Sequence, residues 1–195
     1  RLPQSLAPLF AIFPVGLSVW PEAVTMKRSN GPNLGPLPDQ AHVIIIGGGP
    51  GGVACALALQ RLAARLGRSL QITILEGKDF HRERHYNQCA GVLSPPLPRL
   101  LEEELDVPFP YHLSRGAIEG YVLHSRRQQL DLPETGEPSI ALRRVQFDDY
   151  MLEQARQRGI AIWPARAVDL ELHADGVVVY SENAPLEGDV VVGAF

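Results

Sequence analysis

Three closely spaced glycines and a later carboxylate are the residues of this chain best suited to chemistry. In Gly47-Gly48-Gly49-Pro50-Gly51-Gly52, residues Gly47, Gly49 and Gly52 fill the glycine places of a G-x-G-x-x-G pattern. Glycine at the first place permits a tight turn, and at the second it lets a pyrophosphate come up to the backbone. At the third it lets a helix pack closely on a strand. The free amides and positive dipole end of the helix that follows then face the phosphates. Glu76 stands 24 positions after Gly52, near the roughly 20 expected of the acid that accepts ribose hydroxyls. A carboxylate there disfavours a 2′-phosphate, so the pattern implies a dinucleotide with an unphosphorylated adenosine ribose. No G-x-S-x-G, C-x-x-C or H-E-x-x-H occurs in the chain. Their absence suits a reaction carried by a bound cofactor rather than by a side-chain nucleophile.

The elements around these residues have the order such a site requires. His42-Val43-Ile44-Ile45-Ile46 is a short β-branched run, the pattern of a strand buried on both faces. An alanine-rich helix is predicted from Val53 to Leu66, with Cys55, Leu59, Leu62 and Leu66 along one side and Gly67 as its stop. A second strand, Leu70 to Leu75, delivers Glu76. A loop from Asp79 to Ser94 follows, and the runs 117–125 and 128–132 alternate about Arg126-Arg127, which predicts a hairpin. Arg143-Arg144 opens an amphipathic helix whose Phe147, Met151 and Ala155 are core at +4 spacing, and Gly159 ends it. Strands are predicted at Ile160–Trp163, at Ala167–His173 and Val177–Tyr180 around an Asp175-Gly176 turn, and at Asp189–Val192.

Composition bounds the reading. With 45% hydrophobic and 21% charged residues among 195, the chain is an ordinary globular protein and not collagen, a disordered tail or a bundle of membrane spans. A net charge of −4 gives no reason to expect a nucleic-acid or anionic-membrane surface. Two cysteines make no disulfide framework, which points to a reducing, cytoplasmic setting with membrane association as an alternative. Residues 2–21 carry no charge, yet Pro3, Pro8, Pro14 and Pro21 argue against a membrane helix. We read residues 1–40 as an extension and linker outside the domain, with a cleaved signal over 1–25 as the alternative reading. The domain is expected over 41–195, with 111–142 in a separate sheet.

Two further groups weigh less. His81, His85 and Cys89 recur every four residues, but the arginines and glutamate between them read as a solvated loop, so no metal site is expected. Cys55, among alanines, reads as core.

Taken together, strand-GGGPGG-helix-strand-Glu, a Cys-containing loop, Arg-x-x-Phe-Asp (residues 144–148) and Gly188-Asp189-Val190-Val191-Val192-Gly193-Ala194 resemble the FAD-dependent geranylgeranyl reductase-like flavoproteins, within the wider p-hydroxybenzoate hydroxylase-type FAD fold. The resemblance covers about residues 41–195. The loop commonly reads Cys-Gly-Gly in that branch, whereas this chain has Cys89-Ala90-Gly91. The resemblance implies an α/β fold: a Rossmann-like, FAD-binding parallel sheet with helices on its faces and part of an antiparallel, substrate-facing layer from 111–142. It implies FAD as cofactor, with NAD(P)H as an electron donor. Gly47, Gly48, Gly49, Pro50, Gly51 and Gly52 would hold the pyrophosphate, Glu76 the ribose, and Gly77 and Lys78 the adenine end. Val168 would reach the adenine by its backbone, and Arg143 would touch the cofactor from the helix start. Cys89, with Ala90 and Gly91, would pass near the flavin ring, either as a working thiol or as a small residue that fits there.

The function so implied is hydride transfer from reduced flavin to carbon–carbon double bonds of an apolar, isoprenoid-like substrate. The partner would be that small molecule, with membrane contact only through it and with no nucleic acid. A monooxygenase of the same fold and a non-catalytic dinucleotide-binding module are the alternatives. The resemblance further implies that these residues form the N-terminal part of a longer flavoprotein.

Overall fold

The parallel strand β1 (His42–Ile46) lies inside its sheet, with both of its faces covered. Val43 is 1% exposed, and Ile44 and Ile45 are fully buried. A computed structural model describes residues 37–80, 89–133 and 135–195. The readings made for residues 1–36 and for His81 and His85 lie outside the described residues.

After β1 come α1 (Pro50–Arg65) and β2 (Gln71–Leu75). The helix starts three residues before the expected Val53, because Pro50 needs no hydrogen-bond partner at a first helical position. It closes where Gly67 takes φ +64° and the Arg68 amide donates back to the Ala63 oxygen at 2.9 Å. A long excursion follows: β3 (Val92–Leu93), α2 (Leu97–Leu105), β4 (Ser114–Ile118), β5 (Gly120–His124), β6 (Gln129–Pro133) and β7 (Ser139–Leu142). Strands β3, β7 and β4 form one antiparallel sheet, and β5 with β6 forms a hairpin turned at Ser125–Gln128. The chain then returns through α3 (Arg144–Gln157) to β8 (Ala161–Trp163). A three-stranded antiparallel meander of β9 (Ala167–Leu172), β10 (Val177–Ser181) and β11 (Leu186–Gly188) precedes β12 (Val190–Gly193).

The parallel sheet has the order β12-β1-β2-β8, with Val43 opposite both Ile72 and Val190. Successive side chains of a strand point to opposite faces, which splits the core in two. Val43, Ile45, Ile72 and Ile74 face α1 and α3, where Val53, Leu57, Phe147, Met151 and Ala155 are buried. Ile44 and Leu75 face Val177 and Val179 of the meander. The expected α/β architecture is therefore present in a particular form: the helices cover one face of the parallel sheet and an antiparallel layer covers the other.

His42 ties the entry edge together. Its Nδ1 meets the Glu187 carbonyl at 2.7 Å and its Nε2 meets Thr73 Oγ1 at 2.8 Å. Its amide donates to Asp189 Oδ2 at 2.7 Å, and the Asp189 amide donates to the His42 oxygen at 2.9 Å. Among the described residues, no helix is long and apolar enough to cross a membrane.

Candidate functional site

In open parallel sheets, ligands bind beyond the carboxyl ends of the strands where the strand order reverses. Here β1 has β2 on one side and β12 on the other. A cavity of about 670 Å³ opens there, a size that suits a cofactor. Ile46, Leu75 and Ala194 line it from the ends of β1, β2 and β12, with Gly47, Gly49, Glu76, Gly77 and Lys78 from the loops just beyond. Ala165, Arg166, Ala167, Asp169 and Leu170 line it from the β8–β9 side, and Arg144 and Asp148 from the start of α3.

The glycine turn leaves no room for side chains at two of its three key places. Gly47 takes φ +112°, and a Cβ there would lie 2.5 Å from the Ala194 oxygen. A Cβ on Gly52 would run into the Gly47 oxygen, so helix and strand meet at van der Waals distance. Gly49 has open space around it, as a residue facing a ligand requires. Gly48 backs onto Glu76: its amide donates to Glu76 Oε2 at 2.8 Å, and the Lys78 amide donates to Oε1 at 2.7 Å. Two backbone donors thus orient the carboxylate in advance. Each oxygen retains a lone pair, which suits a pair of vicinal hydroxyls.

The structure brings Gly47, Gly49, Glu76, Gly77 and Lys78 together in the cavity wall. Gly48, Pro50, Gly51 and Gly52 stand behind them as the turn and first helical residues. Arg143 and Val168 do not line the cavity. Arg143 is exposed at the extended residue before α3, whereas Arg144, the first helical residue, lines the wall. Val168 is 64% exposed, and its neighbours Ala167 and Asp169 face the cavity instead.

Of the adjacent pair, Arg144 and not the expected Arg143 stands in the cavity wall, and its spacing to Asp148 is a helical i,i+4 pair. Arg144 Nε lies 2.5 Å from Oδ1 of the buried Asp148, which fixes the guanidinium at the wall. The same guanidinium reaches outward, its Nη1 donating to Cys89 Sγ at 3.5 Å. Cys89 and Ala90 are exposed beside the cavity. Gly91 pins their loop: it takes φ +74°, a Cβ on it would strike the Leu142 oxygen, and its oxygen accepts from the Leu142 amide at 2.8 Å.

The Gly91 amide donating to Cys89 Sγ, aided by Arg144, holds that thiol below its ordinary pKa. Burial pushes the Cys55 thiol up. A lowered pKa puts thiolate at lower pH, so the pH–rate midpoint for iodoacetamide labelling is expected to fall below that of a free thiol for Cys89 and above it for Cys55. Arg144→Gln should move the Cys89 midpoint upward and leave Cys55 where it is. An unmoved Cys89 midpoint would separate the guanidinium from the sulfur.

No protein-family model matches the chain. It is 26% identical over 166 residues to the mitochondrial electron transfer flavoprotein-ubiquinone oxidoreductase of Sus scrofa, covering 78% of this chain and 25% of that protein. The Mus musculus protein of the same name is 26% identical over 162 residues, covering 78% and 26%. The chain therefore spans about a quarter of the curated relatives it matches. Among solved structures it is similar to halogenase PltM in complex with phloroglucinol and FAD, at 24% identity and TM-score 0.60 over 80% of this chain and 34% of that one. It is also similar to the Diels-Alderase PyrE3, at 25% identity and TM-score 0.56 over 79% and 32%. The chain has the α/β fold of these solved structures, one of which holds FAD.

Proposed function

We propose that this chain is the FAD-binding part of an FAD-dependent oxidoreductase. The observation that carries the reading is the Glu76 carboxylate, fixed by the Gly48 and Lys78 amides beside a turn where Cβ atoms have no room. The wall fits the group: open backbone at Gly49 and the free amides at the start of α1 suit a pyrophosphate. Glu76 would accept the ribose hydroxyls, and Gly77 and Lys78 would lie beside the adenine. Arg144, held by Asp148, would take the contact that the resemblance implies for Arg143. Cys89, Ala90 and Gly91 would border the flavin end. When bound, FAD supplies hydride transfer, and the chain's part is to bind and orient it and to exclude water.

The finer reading is reduction of carbon–carbon double bonds in an apolar, isoprenoid-like substrate, with NAD(P)H as electron source, in a reducing compartment. The resemblance of the Cys89 loop and of residues 144–148 supports it. A monooxygenase reading has equal support, since an FAD-bound structure similar to this chain is a halogenase. Anaerobic turnover of a polyprenyl substrate by the longer protein favours the reductase, and substrate-dependent oxygen consumption favours the monooxygenase.

Cofactor binding is tested on the 195-residue chain by titration against FAD, followed by flavin fluorescence. Binding is expected, and Glu76→Ala should weaken it roughly 10- to 100-fold through the lost charge-assisted hydrogen bonds. A chain that takes up NAD but no flavin would overturn the FAD assignment.

A further inference from the structure

The cavity continues past Glu76, away from the glycine turn. With the phosphates at Gly47–Gly52 and the ribose on Glu76, a nucleotide's base must project into this continuation, between Gly77 and the β8–β9 loop. One side chain there is placed to meet it. The stem of Arg166 lies on the Gly77 backbone so closely that a Cβ on Gly77 would strike Arg166 Cγ. The Arg166 backbone is fixed twice. Its oxygen accepts from the Glu182 amide at 3.0 Å, and its amide donates to Glu182 Oε2 at 3.3 Å. Ala165 before it is buried, its amide bonded to the Trp163 oxygen at 2.9 Å. Among the described residues no carboxylate pairs with the Arg166 guanidinium, so that planar cation is available at the rim.

We propose that Arg166 is the base-selecting residue of the site, its guanidinium lying over the face of a purine bound beside Gly77. This rests on the dinucleotide reading and goes beyond it by assigning the preference for a purine to one side chain. A guanidinium attracts an aromatic face through the ring's quadrupole and stacks on it as a plane. The two-ring purine offers more of that face than a one-ring pyrimidine. Glycine at 77 then has a second use, since any side chain there would lift the Arg166 stem off the backbone.

The test is calorimetric titration of the 195-residue chain with ADP and with CDP. The wild-type chain is expected to prefer ADP. Arg166→Ser should lower ADP affinity about 3- to 20-fold, leave CDP affinity nearly unchanged and bring the two together. Arg166→Lys, a cation without the plane, should fall between. Arg166 is exposed, so an unchanged melting temperature in both variants is expected and separates lost selection from lost folding. An Arg166→Ser chain that binds ADP and keeps the wild-type ADP-to-CDP ratio overturns the assignment and leaves the dinucleotide reading standing. A wild-type chain that binds neither FAD nor ADP overturns both.

Discussion

Gly52→Ala is expected to weaken FAD binding strongly and to lower stability, although alanine is the better helix former. In an unobstructed helical position the substitution would gain roughly 0.5–1 kcal/mol. At Gly52 the new methyl would occupy the space of the Gly47 carbonyl oxygen, and neither atom belongs to a side chain that can swing aside. Helix α1 must then retreat from β1, which costs about 1–3 kcal/mol as overpacking. The retreat also pulls the amides at the helix start away from the phosphates. A displacement near 1 Å at such a site costs about 100-fold, which defines the expected loss in the FAD titration. Gly51→Ala is the control: it lies in the same helical turn, has nothing within 4 Å, and should leave the melting temperature unchanged or raise it. Equal behaviour of the two variants would refute the close helix–strand approach.

Phe147→Ala should cost about 3–5 kcal/mol. Phe147 is 1% exposed on α3, packed among the buried side chains of α1 and β1, with its ring centroid 6.4 Å from that of Phe109. For a folded unit of this size a loss of that order lowers the melting temperature by about 10 °C, measurable by calorimetry. The cavity is lined by its neighbours Arg144 and Asp148 and not by Phe147 itself. FAD affinity measured well below the new melting temperature should therefore change much less than in Gly52→Ala. A large affinity loss in a still-folded Phe147→Ala chain would mean that α3 is positioned by its core contacts more than by the Arg144–Asp148 pair.

The β1–turn–α1–β2 unit was legible in the sequence because each of its requirements is local. Buried strands demand β-branched residues, the turn demands glycine, and Glu76 follows directly on its strand. Helix α2 was not predicted: Pro95, Pro96 and Pro98 hide its start, yet proline is tolerated at a helix start, where its missing amide costs nothing. The run 117–125 looked continuous but is cut at Glu119 into β4 and β5, which join different sheets. Periodicity carries no information on which strand pairs with which. Side-chain direction at helix and strand ends was equally hidden. Whether Arg143 or Arg144 faces the cavity depends on where α3 begins, and whether Val168 or its neighbours do depends on the bulge opposite Tyr180–Ser181. The meander's place over the second face follows from Val177 and Val179 meeting Ile44, a contact no local pattern announces.

The pairing of β1 with β12 has a consequence in time. Where the His42 amide meets Asp189, the partners are 147 positions apart in the chain. Contacts so distant carry a large closure entropy and form after local ones. The glycine turn and α1 belong to a local unit, but the wall supplied by Ala194 arrives only when β12 docks. Ligand affinity is thus a late product of folding, and a half-folded chain would already present the phosphate turn while still lacking the far side of its cavity.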